Sequence, residues 1–176
     1  MKALLLAIIA CFPALPAHAQ TAEKGVPNSV SNVTLPATHV DKTGREYVVR
    51  HINGSELATA LSGKKPNDAL AEVLISEGER YRVANTLRDR NGLVEFHDYW
   101  YDHIFVQEGE ARFLTGGTMV GAVDTAPGEK RAVSINGGTS TVLHVGDYFM
   151  VPPHIPHQML VQPGQKIRFV VFKVRK

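Results

Sequence analysis

The chain has 176 residues, of which 20% are charged and 44% hydrophobic, and a formal net charge of +2. That length suits one domain, and the composition is ordinary for a folded chain, which excludes global disorder. The basic residues fall in short pairs such as Lys64-Lys65 and Arg175-Lys176, with no stripe that could track phosphates, so nucleic acid is not an expected partner.

Met1-Lys2 supplies a positive start, Ala3 to Ala10 an unbroken apolar run, and Ala17-His18-Ala19 the small-x-small pattern read by signal peptidase. The run falls short of the roughly 20 apolar residues that cross a bilayer, so residues 1–19 read as a secretory signal. Pro13 and Pro16 count against a buried helix. The mature chain is therefore expected to be periplasmic or secreted, with no integral membrane span. A second processing route is lipidation of Cys11, because Ile8-Ile9-Ala10-Cys11 resembles a lipobox. It ranks behind the first, since bulky Phe12 follows the cysteine and a good Ala-x-Ala site lies just downstream. Cys11 is the single cysteine, so cleavage after Ala19 leaves no thiol for a disulfide, for catalysis or for a metal.

Residues 20–66 read as an arm carrying one short helix. Pro27-Asn28-Ser29, Ser31-Asn32 and Pro36 punctuate its polar first half. Ser55 to Leu61 then combines an N-cap serine with good helix formers and Gly63 as a stop, before Lys64-Lys65-Pro66-Asn67 breaks the chain. Residues 67–176 form the main domain. Short apolar segments recur there between turn residues: 72–75, 81–87, 93–97, 103–107, 111–114, 132–135, 141–145, 148–151, 157–161 and 166–174. Asn136-Gly137 between two such runs is a strong hairpin signal. Ten or so short strands without a long helix predict an all-β sandwich or barrel. The last strand, Ile167 to Phe172, is apolar on both faces, which predicts a central position or a cover from the arm or a partner subunit.

Within strand 93–97, Glu95 and His97 share one face, opposite Val94 and Phe96. Five residues on, the alternation with Ile104 and Val106 favours Asp102 over His103 as an inward group. The spacing Glu95-x-His97-x4-Asp102-x6-Gly109, followed by Gly146-x5-Pro152-x-His154-x2-His157, resembles the two signature motifs of the cupin superfamily over residues 71 to 174. That resemblance implies a jelly-roll cupin barrel, a double-stranded β-helix. It also implies a divalent metal (Mn, Fe, Zn or Ni) held by the residues at the four ligand positions, here Glu95, His97, Asp102 and His157. Two histidines and two carboxylates replace the usual three histidines and one carboxylate, a set still suited to Mn²⁺, Fe²⁺ or Zn²⁺. Asp102 is one methylene shorter than the family's glutamate, Asp89 stands at the first-motif glycine, Val161 replaces the final asparagine, and His154 stands where the second motif has glycine.

Two functions follow from the resemblance. One is a metal-dependent cupin enzyme, of oxygenase, isomerase or lyase type, acting on a small organic substrate with an unligated carboxylate, Glu95 or Asp102, as general base and Tyr101 or Tyr99 as a hydrogen-bond or proton donor. The other is a metal-free cupin that binds a small molecule without catalysis. A homodimer is a further implication. Tyr99-Trp100-Tyr101, the aromatic link between the two halves of the first motif, is read either as a stacking wall for a ligand or as packing. His103 and His144 read as packed or solvated histidines, and His154 as a surface turn residue.

Overall fold

A computed structural model describes residues 38–40, 42–44, 46–48, 51–63 and 70–176. The expected signal segment, Cys11, the first half of the arm and the break at Lys64 to Asn67 lie outside the described residues. No described helix is long and apolar enough to cross a membrane.

In chain order the elements begin with β1 (Thr38–Val40), β2 (Glu46–Val48), α1 (Gly54–Ser62), β3 (Leu70–Gly78), β4 (Tyr81–Arg88), β5 (Val94–His97), β6 (Trp100–Gly109) and β7 (Ala111–Thr115). They continue with β8 (Thr118–Val120), β9 (Val123–Ala126), β10 (Glu129–Ala132), β11 (Ser134–Asn136), β12 (Thr139–Leu143), β13 (Tyr148–Val151), β14 (His157–Leu160) and β15 (Ile167–Arg175). Two antiparallel sheets dominate, a six-stranded one ordered β12-β7-β14-β5-β10-β9 and a five-stranded one ordered β13-β6-β15-β4-β3.

Alternation along these strands builds one core between the sheets. Ala84, Ile104, Phe169 and Val171 face it from the five-stranded sheet, and Ala111, Phe113, Leu143 and Met159 from the six-stranded one. Phe113 and Phe149 meet edge to face at 5.1 Å. The expectation for the last strand holds, since β15 lies between β6 and β4 with Ile167 fully buried. Its other face is open at Phe172, which joins Phe105, Tyr148 and Met150 on the exposed outer surface of the sheet.

The short helix is present, but its cap is Asn53 and not Ser55. Asn53 Oδ1 accepts from the Ser55 amide at 2.9 Å while Glu56 accepts from the Asn53 amide, a reciprocal arrangement that satisfies otherwise unpaired amides of the first turn. Gly63 closes the helix as expected. Leu61, 1% exposed, is its buried residue, and α1 packs on β3 and β4.

Two local expectations need correction. Residues 132–135 are not one strand: β10 ends at Ala132, Val133 is exposed, and β11 pairs instead with β8. Trp100 and Tyr101 are the first residues of β6 and not a link, which leaves Asp98-Tyr99 as the turn after β5.

Candidate functional site

Pairing brings the four expected ligand positions together from three strands. Glu95 and His97 lie on β5, His157 on β14 directly across from Glu95, and Asp102 on β6 in the opposite sheet. One ligand atom from each of Glu95, His97, Asp102 and His157 falls within 4.8 Å of the others. His97, Asp102 and His157 are each 4% exposed, and the Glu95 side chain is 29% exposed. The shorter aspartate does reach: Asp102 Oδ2 lies 3.6 Å from His97 Nε2 and 3.5 Å from His157 Nε2. The strand phase is also as expected, because His103 turns to the outer face and meets the Tyr148 hydroxyl at 2.7 Å.

The outer partners of both histidines determine which ring nitrogen looks inward. A carboxylate only accepts, so His97 Nδ1 donates to Glu129 Oε2 at 2.5 Å and turns Nε2 to the cluster. His157 Nδ1 donates to the Ile155 carbonyl at 3.0 Å and does the same. His157 Nε2 and Asp102 Oδ1 are then buried polar atoms without a hydrogen-bond partner. Groups of this kind are costly to bury unless something else binds them. The two rings lie 5.3 Å apart, and His157 also rests against Phe113, so the polar cluster sits directly on the apolar core.

Three charged residues of this cluster were not anticipated. Lys173 on β15 stands directly across from Asp102, and its Nζ lies 2.8 Å from Asp102 Oδ2, 2.9 Å from His97 Nε2 and 3.5 Å from Glu95 Oε2. Glu129 and Arg131 on β10 stand across from His97 and Glu95. Arg131 bridges the two carboxylates, 3.4 Å from Glu95 and 3.4 Å from Glu129. For Lys173 the signal was in the alternation: it continues the inward phase of Ile167, Phe169 and Val171, where a charge is out of place unless paired. For Glu129 and Arg131 no local signal existed, because β10 was not anticipated upstream of Ala132.

Burial opposes ionisation of Asp102, but the Lys173 ammonium and the facing imidazoles of His157 and His97 hold it well below the usual carboxylate range. Glu95 is likewise held well below, against burial, by Lys173, His97 and Arg131. Lys173 is raised: burial works against its charge, and Asp102 and Glu95 outweigh that. Burial and Lys173 oppose a second proton on His97, while hydrogen bonds with Asp102, Glu129 and Glu95 push the imidazole up to about 10. Three carboxylates, Glu95, Asp102 and Glu129, face Lys173 and Arg131, with the raised His97 imidazole between them.

Tyr101 is not brought to the cluster. It precedes Asp102 in a regular strand and stands across from Val174, on the alternate face from Asp102 and Lys173. Tyr99 and Trp100 lie under the Arg175 guanidinium, 5.4 Å and 5.9 Å from their ring centroids, so packing accounts for them. His154 is an exposed turn residue whose amide donates to the His97 carbonyl at 2.8 Å.

No family model matches the sequence, and no curated protein matches it. Among solved structures, a cupin domain from Schizosaccharomyces pombe superposes with a TM-score of 0.57 at 7% identity, covering 82% of this chain and 88% of that one. The fold is that of a cupin. A double-stranded β-helix protein from Klebsiella pneumoniae superposes with a TM-score of 0.45 at 18% identity, over 63% of this chain and 81% of that one. The polyketide cyclase RemF from Streptomyces resistomycificus gives 0.44 at 16% identity, over 61% of this chain and 67% of that one. Within this cupin barrel, Glu95, His97, Asp102 and His157 form a buried cluster whose donor chemistry could hold a metal ion.

Proposed function

We propose that the cluster is a divalent-metal centre serving a small organic substrate. One observation carries this reading: His157 Nε2 is buried, has no hydrogen-bond partner and, with its ring held by the Ile155 carbonyl, presents a lone pair to three other ligand-type residues. Imidazole and carboxylate together suit Mn²⁺, Fe²⁺, Zn²⁺ or Ni²⁺, and the His97–Glu129 contact is the outer-shell bond that orients ligating histidines. A bound metal would supply Lewis-acid polarisation of a substrate oxygen or an acidified water.

The chain's own residues set the remaining terms. Glu95 is the most exposed of the four and is kept ionised by Lys173 and Arg131, the state a general base needs. The same cations make it a weak base. A cavity of about 130 Å³ is lined by Thr115, which stands directly across from His157, and by Phe149, Val151 and Ile155, with none of the four candidate ligands in its wall.

A second reading has its own support. The Lys173 ammonium already contacts Asp102, His97 and Glu95, which favours a metal-free cupin that uses the network as a binding pocket. Elemental analysis of protein purified without chelator or added metal separates the two. The metal reading expects near-stoichiometric metal, lost in His97→Ala and His157→Ala with the barrel still folded by circular dichroism. Less than about a tenth of an equivalent, with no uptake from added Mn²⁺, Fe²⁺, Zn²⁺ or Ni²⁺, would leave the metal-free reading in its place.

Export to the periplasm or medium is the accompanying proposal. It rests on the residues of segment 1–19, and intact mass of the mature protein tests it. Cleavage after Ala19 supports it, and a lipid adduct at Cys11 points to the anchored route.

A further inference from the structure

We propose that Lys173 is a built-in competitor for the cation site, so that its ammonium and a divalent metal take the same donor atoms in turn. The inference rests on the metal reading above and concerns what regulates uptake there.

The geometry is that of substitution. Lys173 Nζ lies 2.8 Å from Asp102 Oδ2, 2.9 Å from His97 Nε2 and 3.5 Å from Glu95 Oε2. Three of the four candidate ligand residues are thereby engaged. The fourth, His157, is left with its inward nitrogen unpartnered. A metal held by these residues would draw on the same inward-facing donor atoms. A dication and an ammonium cannot share these atoms, since the two cations would then lie within a few ångströms of each other in a buried site. Metal entry thus requires the lysine side chain to leave.

Nothing in the backbone prevents that exchange. Lys173 lies near the end of β15, and its four-carbon stem changes rotamer without disturbing the ladder that sets it across from Asp102. Arg131 stays with Glu95 and Glu129 in either state. The exchange replaces one internal cation with another and relieves the unpartnered His157 nitrogen.

Isothermal titration calorimetry of Zn²⁺ and Mn²⁺ into wild-type protein and Lys173→Met is the test. Methionine keeps the length of an apolar stem and removes the charge. The expected result is that Lys173→Met binds at least tenfold tighter than wild type. Uptake by the variant alone would support the competitor in its strongest form while removing metal from the wild-type function. Equal affinity, or weaker binding by the variant, overturns the inference and leaves the metal reading standing. No uptake by either protein overturns the metal reading and the inference with it.

A readout on wild-type protein covers the case in which the variant fails to fold. A buried lysine Nζ should give a slowly exchanging ¹⁵N–¹H cross-peak in the metal-free protein, and one equivalent of bound metal should remove or shift it. A cross-peak unmoved by bound metal overturns the inference.

Discussion

His154 shows how one residue can carry strain without belonging to the chemistry. It is the one non-glycine with positive φ among the described residues, at +68°, and it stands where the second motif has glycine. Its ring is solvent-exposed, with a 3.3 Å contact to Asp98 that water screens. Replacing it with glycine should relieve the left-handed strain and raise stability by about 0.5–1 kcal/mol, read as a higher urea midpoint at unchanged slope. His154→Ala keeps the strain and should give no gain. Asp102 teaches a related lesson. By residue type it looked too short to match glutamate, yet the strand that carries it lies close enough for contact with both histidines and Lys173.

At the level of elements, turns decide which residues face each other. Gly109 ends β6 at φ +73°, and a Cβ there would come within 1.9 Å of the Lys166 carbonyl oxygen, where β15 begins. Gly146 has a similar φ of +91° but nothing within 4 Å of its would-be Cβ. Both are motif glycines kept for different reasons. Gly109→Ala should cost at least about 3 kcal/mol, combining backbone strain with a clash between main chains, whereas Gly146→Ala should cost about 1–2 kcal/mol from strain alone. Chemical denaturation of the two variants side by side checks this. A smaller loss for Gly109→Ala than for Gly146→Ala would mean that the β6–β15 junction yields easily.

On the scale of the whole molecule, the cluster joins the two sheets across the core. Glu95, His97, His157, Glu129 and Arg131 come from the six-stranded sheet, and Asp102 and Lys173 from the five-stranded one. A metal bound there ties the sheets together in the folded state and is absent from the unfolded chain. Under the proposed function, free metal at about 100 times its Kd should add about 2.7 kcal/mol, which for a chain of this size raises Tm by roughly 5–10 °C. Differential scanning fluorimetry with and without chelator reads the shift. His157→Ala should abolish it, since that variant lacks the donor with no other partner.

The barrel was legible from local chemistry. Period-two alternation marked most strands, turn residues marked their ends, and the motif spacing correctly grouped Glu95, His97, Asp102 and His157, because those counts reflect how many residues a strand and its turn consume. Strands β1 and β2 in the arm were not anticipated, and β8, β9 and most of β10 were missed where charges and glycines blur the alternation, as in Asp124 to Arg131. Tyr101 was placed in the site as part of the aromatic link within the first motif, and strand alternation turned it away. Lys173, Glu129 and Arg131 entered the site through pairing with strands distant in sequence. A residue's own neighbours state which face it takes, but which partner stands across from it depends on register between remote segments. That long-range register placed an ammonium among the expected metal ligands.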